Sequence, residues 1–267
     1  WDLQTLVSET GKLYKASVAD AAREQNTPVS VLNGVLDGDT TTRYLRPTLY
    51  DLLIQRAFEF YLTDEPALNK PKMPFSINDP AFFSDSRSFA ELPVKTTDTS
   101  STWYQGIKLL QQATTFHLKM DQQEALADMD MQRLRFLYGK SAVEHKDSLY
   151  LAALHRIATD FAKKPISADA LVMLGQYFAG RDSLTVAHQY YKQAQTAYPE
   201  SFGGKNATLQ LQILEHKDVN ATLEDVYSPD KPALALIGYR NISTAKVLVY
   251  KLSQTQYNDY FVSPASH

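Results

Sequence analysis

The sequence predicts a mainly α-helical protein in which antiparallel helical hairpins stack into a solenoid, followed by a short β segment near the C-terminus. Apolar residues recur at helical spacing from residue 102 onwards, and glycine and proline interrupt that pattern. After Asp218 the composition shifts towards short stretches that are typical of strands. We therefore predict a helical domain over residues 1–228 and the beginning of an incomplete β domain over residues 229–267.

The composition excludes several classes of protein. The 27 basic and 30 acidic residues give a net charge of -3, so no strong field draws the chain to nucleic acid or to a membrane. No cysteine is present, which excludes disulfides, thiolate zinc sites, thiol nucleophiles and a thioester formed by this chain. Because no run of 18 apolar residues occurs, we also expect no membrane-spanning segment.

The N-terminal third begins with a helical stretch over residues 6–36 that is interrupted at Pro28. A second helix is predicted over residues 43–61, with Pro47 in its first turn. Its apolar residues cover most of the circumference, which is typical of a buried helix. Three arginines accompany this helix, and we favour salt bridges at its ends over an anion site: Arg43, Arg46 and Arg56.

Residues 64–101 are predicted to form a long ordered loop. The segment carries five prolines and lacks periodicity, but it also contains four phenylalanines, and disordered linkers are poor in aromatic residues. We expect these side chains to pack on the helical surface: Phe75, Phe82, Phe83 and Phe89. The alternative is an interaction loop that contacts a partner.

From Thr102 the helical pattern holds through three helices, the last of which ends at Pro165. Thr102 and Asp121 are the predicted N-caps of the first two helices, and Gly139 is the predicted stop of the second. A later helix, over residues 204–216, follows the repeat region described next and is expected to cover its end.

Two further short helices lie within residues 168–199. One face of each helix combines large and small residues, so the two helices can approach closely. A proline ends the second helix. The packing residues are Leu171, Leu174, Gly175, Phe178, Ala187, Tyr191, Ala194 and Pro199. This order resembles the tetratricopeptide (TPR) repeat.

A second copy of the pattern precedes the first. Ala153, Ile157 and Pro165 stand 34 residues before Ala187, Tyr191 and Pro199, and 34 residues is the TPR period. One such unit cannot bury its apolar faces alone, so neighbouring helices are expected to stack on it. Six tyrosines in this region are predicted to wedge between helices rather than to contact a ligand: Tyr138, Tyr150, Tyr177, Tyr190, Tyr191 and Tyr198.

The sequence contains none of the common patterns for catalysis or metal binding. Its six histidines show no metal spacing, and neither a nucleophile elbow nor a dinucleotide-binding fingerprint is present. We therefore expect no catalytic residue, no cofactor and no metal site. Gly203 and Gly204 precede a helix, and we favour a plain helix-entry turn over an anion site there.

Two strands are predicted near the C-terminus, over residues 233–239 and 245–252, with a turn at 241–244. Two strands are marginal as an independent sheet, so we expect further strands of the same domain to lie outside this chain. Residues 254–267 are predicted to be a tail.

Three stretches in this order resemble the N-terminal region of large bacterial alpha-2-macroglobulin-like proteins. They are LRPTLYDLLIQRAFEFYL at 45–62, HQYYKQAQTAYPESFGGKNATLQLQI at 188–213 and SPDKPALALIGYRNISTAKVLVYKL at 228–252. The resemblance implies a TPR-like helical region that leads into a macroglobulin β domain, which would start near residues 239–241. It also implies export to the periplasm or cell surface, with lipid anchoring through a missing N-terminus.

This resemblance favours a non-catalytic scaffold and protein-interaction region, whose parent would be a protease inhibitor or trap. The expected partners are protein: neighbouring domains of the parent, proteases or envelope proteins. The alternative is a helical-repeat binding protein of the cell envelope that captures a glycan or peptide in its groove. An enzyme, the third hypothesis, has no supporting residues in the sequence.

Overall fold

The computed structural model of the chain describes residues 2–37, 40–62, 73–223, 232 and 234–258. It is mainly α-helical and contains one two-stranded antiparallel sheet near the C-terminus, which confirms the predicted class at that level. The chain divides into two compact units, Trp1–Leu211 and Gln212–His267. The predicted boundary at 228, the first part of the long loop (63–72) and the end of the tail (259–267) lie outside the described residues.

The elements follow one another along the chain with short connections. The α-helices are α1 (Leu3–Ser17), α2 (Ala21–Asn26), α3 (Leu49–Tyr61), α4 (Ser86–Glu91), α5 (Thr102–Lys119), α6 (Gln123–Lys140), α7 (Lys146–Asp160), α8 (Ser167–Ala179), α9 (Leu184–Ala197), α10 (Phe202–Glu215) and α11 (Gln254–Tyr257). The strands are β1 (Asp218–Leu223) and β2 (Ala235–Arg240). Short 3₁₀ helices cover Val29–Leu32, Thr40–Leu45 and Pro80–Phe83.

Helix α3 is the buried helix of the N-terminal part, with α1, α2 and α5 packed around it. Its N-terminus is fixed by a capping box, in which Thr48 and Asp51 each bond the other's backbone N–H. Pro47 therefore precedes the cap and does not lie in the first turn.

All three arginines near α3 contact other groups of the protein, and two of them form salt bridges as predicted. Arg46 lies 3.3 Å from Asp128 and Arg56 lies 3.0 Å from Glu59. The third, Arg43, donates to the side chain of Asn33 and to a backbone carbonyl.

The described part of the long loop, residues 73–101, is ordered by short helices and by its aromatic side chains. Phe82, Phe83 and Phe89 are buried in the main hydrophobic core, and Phe75 packs against it. Two helical elements, Pro80–Phe83 and α4, interrupt the segment, so it is not the element-free loop that the sequence predicts. These phenylalanines pack on the helices as expected.

A buried arginine of α6 holds this segment in place. The Arg133 guanidinium, which is 0% exposed, donates to the carbonyls of Phe82 (2.8 Å) and Ser84 (2.7 Å) and lies 2.9 Å from the Asp130 carboxylate. Its Cζ stands 4.3 Å from the centre of the Phe89 ring. Asp130 in turn accepts from the Ser86 hydroxyl at 2.7 Å. Segment and helix thus share one network of charge-assisted hydrogen bonds.

Helices α5 to α9 pack successively, each on the next in the chain. Two predicted caps are wrong by one residue. Ser101 rather than Thr102 accepts from the N–H of Tyr104, and Gln122 precedes α6 because Asp121 has a left-handed backbone (φ 51°). Gly139 does not stop α6, because the helical hydrogen bonds continue until Ser141 becomes extended.

Helix α10 begins at Phe202, two residues before the predicted start, and both of its glycines are buried in the first turn. A Cβ atom at Gly203 would lie 2.5 Å from the backbone nitrogen of Asp169 in α8. Close approach of two backbones explains the glycine, and both glycines lie within the helix rather than before it.

The C-terminal unit contains the sheet, with Asp218 paired to Arg240 at one end and Leu223 paired to Ala235 at the other. The predicted strand over residues 245–252 is wrong: β2 pairs with β1, and residues 245–252 have no regular structure. Asn241 is the physical reason. Its left-handed backbone (φ 54°) and its amide, which donates to the carbonyls of Leu214 and His216, fasten the end of β2 beside the start of β1.

We predict that Arg133→Met destabilises the helical unit by about 3–5 kcal/mol, because it leaves the buried Asp130 carboxylate and two segment carbonyls without their donor. Urea unfolding measures the loss, and hydrogen exchange should show that residues 82–92 lose protection first. Arg56→Met is the control, since an exposed ion pair contributes about 1 kcal/mol or less. A loss as small as that of the control would show that other contacts hold the segment.

Candidate functional site

Most of the predicted packing residues of the α8–α9 hairpin are buried or partly buried. Five are buried: Leu174, Gly175, Ala187, Tyr191 and Ala194. Leu171 and Phe178 are partly buried and Pro199 is exposed in the turn before α10. Two contacts cross the interface between the two helices, namely Gly175 with the Tyr191 ring and Phe178 with the Tyr190 ring, whereas Leu171 and Leu174 belong to or pack against the main core.

Gly175 sets how closely α8 and α9 approach. A Cβ atom at this position would lie 2.4 Å from Cε1 of Tyr191, well inside contact distance. The Tyr191 ring is therefore seated directly on the glycine. Its hydroxyl is buried without a described hydrogen-bond partner, and burial raises the pKa of Tyr191. The ring is thus a packing group whose place depends on the absence of a side chain at 175.

The earlier positions of the 34-residue spacing behave in the same way. Ala153 and Ile157 of α7 are buried, like Ala187 and Tyr191 of α9. Pro165 and Pro199 are both exposed, each in the connection after its helix. The two segments therefore share burial as well as spacing.

An aromatic ladder runs across α6, α7, α8 and α9. It consists of Tyr138, Tyr150, Tyr177, Phe178 and Tyr190. Tyr138 stacks on Tyr150 with ring centres 4.4 Å apart, and Phe178 stacks on Tyr190 at 5.6 Å. All but Tyr150 are partly exposed, so one edge of the ladder faces solvent while the rings contact their neighbours. The wedge role predicted for these tyrosines thus coexists with an accessible aromatic surface.

A polar clamp lies over one end of the ladder. Arg181 stands 3.8 Å from the Tyr177 ring centre and donates to the Tyr138 hydroxyl at 2.6 Å and to Asp147 at 2.9 Å. The Tyr138 hydroxyl donates to Asp147 at 2.8 Å, and this hydrogen bond, followed by Arg181, lowers the pKa of the Asp147 carboxyl. Sequence reasoning missed Arg181 and Asp147, which are 34 positions apart and carry no local pattern.

A groove of about 480 Å³ lies at the other end of the hairpins, lined by Tyr44, Tyr198, Phe202, Glu124 and Asp169 among others. Burial first, and then the charge of Asp128, raise the pKa of Asp169 to about 7. The charge of this groove therefore changes near neutral pH. Nothing in the sequence marked Asp169, because a carboxylate in the first turn of a helix is an ordinary partner of the helix dipole.

A buried histidine–aspartate pair lies in the core of the helical unit. His117 Nε2 lies 3.0 Å from the Asp51 carboxylate, its Nδ1 lies 2.9 Å from the amide oxygen of Gln122, and both ionisable side chains are 1% exposed. This pair links α3 to α5 beneath the surface. Among the residues that the structure describes, no group of three His, Asp or Glu residues is placed to hold a metal ion.

The comparisons with known proteins leave the family open. No protein-family model, no curated protein and no solved structure matches this chain. Within the described ranges, no helix has the length and hydropathy needed to cross a membrane.

We predict that Gly175→Ala destabilises the helical unit by about 1–3 kcal/mol, because the new methyl group must displace the Tyr191 ring. Gly139→Ala is the matched control in α6, where a Cβ atom meets nothing within 4 Å. That control should stabilise the protein by about 0.5–1 kcal/mol, since alanine favours a helix. Urea unfolding compares the two, and equal effects would contradict the close-approach interpretation.

We predict that Asp169→Asn stabilises the protein at pH 8 and not near pH 4. A carboxyl whose pKa is raised on folding binds its proton more tightly in the folded state. Its cost to stability therefore grows as the pH rises from about 4 to about 7, and then stays constant. Removing the charge should gain about 1–2 kcal/mol at pH 8.

Urea unfolding between pH 4.5 and pH 8 measures this dependence. Glu144→Gln removes one carboxylate from an exposed position and should leave the profile unchanged. A pH-independent effect of Asp169→Asn would exclude titration of this carboxyl as its origin.

Proposed function

We propose that this chain is the helical scaffold and protein-interaction region of a secreted or periplasmic alpha-2-macroglobulin-like protein, and that it has no catalytic role of its own. The observation that carries the proposal is the aromatic ladder, which spans four consecutive helices and keeps one edge in solvent. Tyrosine suits protein contacts because its apolar ring carries a polar tip.

The repeat architecture supports a TPR-like solenoid as the finer description of the helical unit. Helices α7, α8 and α9 follow one another through short turns and pack in chain order. Their residues 34 positions apart are buried alike. Stacked hairpins of this kind create extended surfaces that bind other polypeptides.

The exposed apolar side chains of the C-terminal unit support its continuation into a larger β domain. Both faces of the ribbon formed by β1 and β2 are exposed. The large apolar residues left accessible include Val219, Leu223, Leu236, Tyr239, Val249 and Tyr250. A ribbon of two strands is marginal alone, so we propose that further strands of the parent protein cover it.

Site-specific photocrosslinking of the natural full-length polypeptide tests the interaction role. Benzoylphenylalanine at the positions of Tyr177 and Tyr190 is expected to crosslink to one defined protein segment, identified by mass spectrometry. The control is the same group at Lys192, which points about 200° away from Tyr190 around α9. Equal crosslinking at all three positions, or none on the ladder, would reject this surface as the interface.

A further inference from the structure

A second cavity lies between the N-terminal helices and α5, away from the ladder and the groove. It has a volume of about 740 Å³, within the range of ligand pockets. Residues of α1 and α2 form one wall, α5 forms the other, and Tyr50 and Tyr61 of α3 contribute to its lining. We call it the Tyr50 cleft.

Tyr50 is a largely buried residue that lines the cleft. The residue is 3% exposed, its ring packs edge-on against Phe116 at 5.4 Å, and its hydroxyl makes no hydrogen bond to a described residue. The Tyr61 hydroxyl, by contrast, donates to the Gly11 carbonyl at 2.6 Å. Because this hydroxyl has no partner among the described residues and belongs to a side chain that lines the cleft, it is available to a ligand.

The charged side chains in the lining of the cleft favour an anion, although the charges of Asp51 and Glu24 act on Tyr50 from outside the lining. Lys15 and Lys108 line it, and no aspartate or glutamate is among its described lining residues. Lys108 is positioned rather than free: its ammonium donates to Gln111 at 3.0 Å, and the Gln111 amide donates to the carbonyls of Phe89 and Leu92. One cationic group is therefore held at a fixed place on the wall.

The remaining lining groups suit hydroxyls rather than an apolar body. Gln25, Gln112 and Thr115 bring amide and hydroxyl groups, and Tyr104 brings an aromatic ring that is fixed by an edge contact with Phe75 at 5.6 Å. Aromatic rings can pack against the C–H face of a sugar, and side-chain amides can hydrogen-bond to its hydroxyl groups. Among the described residues that line the cleft there is no arginine, the preferred bidentate partner of phosphate.

We propose that the Tyr50 cleft binds a sugar acid, with the carboxylate between the two lysines and a ligand oxygen accepting from the Tyr50 hydroxyl. Burial, followed by the charges of Asp51 and Glu24, raises the pKa of Tyr50 to about 12, so this hydroxyl stays protonated and can donate. The site is independent of the protein-interaction role, because none of the ladder residues lines it.

Calorimetric titration of the whole chain tests the site with D-glucuronate as the probe and neutral D-glucuronamide as its matched control. Glucuronate is expected to bind saturably and at least about tenfold more tightly than the amide, because each charge-assisted hydrogen bond contributes more than a neutral one. Inorganic phosphate and a glutamate-containing peptide are the competing anions. Tighter binding of either, or equal affinity for the amide, would overturn the proposal.

Three variants localise the binding. Tyr50→Phe should weaken glucuronate binding about three- to tenfold without loss of stability, because the hydroxyl has no described protein partner to lose. Lys15→Gln should weaken it about tenfold or more. Lys205→Gln, an exposed change on α10, should have no effect. Native affinity in both Tyr50→Phe and Lys15→Gln would place any binding elsewhere and reject the cleft.

Discussion

The arrangement of the helical unit depends on the contacts of the buried Arg133 guanidinium. A charge with no solvent exposure must be matched, and Asp130 with the carbonyls of Phe82 and Ser84 provides the match. Two of those partners lie about fifty positions away in the chain. The network therefore draws a proline-rich segment onto α6, and that segment then carries Phe89 into the core and positions Gln111 through its own carbonyls.

The segment that Arg133 holds in place also connects the core to the Tyr50 cleft. Gln111 bonds the segment with its amide nitrogen and accepts from Lys108 with its oxygen. Tyr50, beside the buried pair of Asp51 and His117, forms part of the lining of the same cleft. Surface groups that could recognise a ligand are thus held by polar contacts one layer below them, which limits their motion and favours recognition of a defined shape.

Close packing and surface recognition are separated in the repeat region. The seam between α8 and α9 is built on small residues and the Tyr191 ring, whereas the ladder uses tyrosines that are only partly buried. Arg181 stiffens the exposed side through stacking and two hydrogen bonds. A rigid aromatic surface loses little side-chain entropy on binding, which suits a scaffold that holds another polypeptide.

The sequence alone determined the helical class, the packing face around Gly175 and Tyr191, and the burial of the loop phenylalanines, because spacing and residue size encode them locally. Only the tertiary structure revealed the roles of Arg133, Arg181 and Tyr50, whose partners or surroundings come from distant parts of the chain. The tertiary structure also decided the strand pairing. The residues of β1 have little intrinsic preference for strands, and β2 pairs with them because Asn241 binds the end of α10 next to the start of β1. Local patterns specify which face of an element is buried, whereas hydrogen bonds between distant residues specify which other element that face packs against.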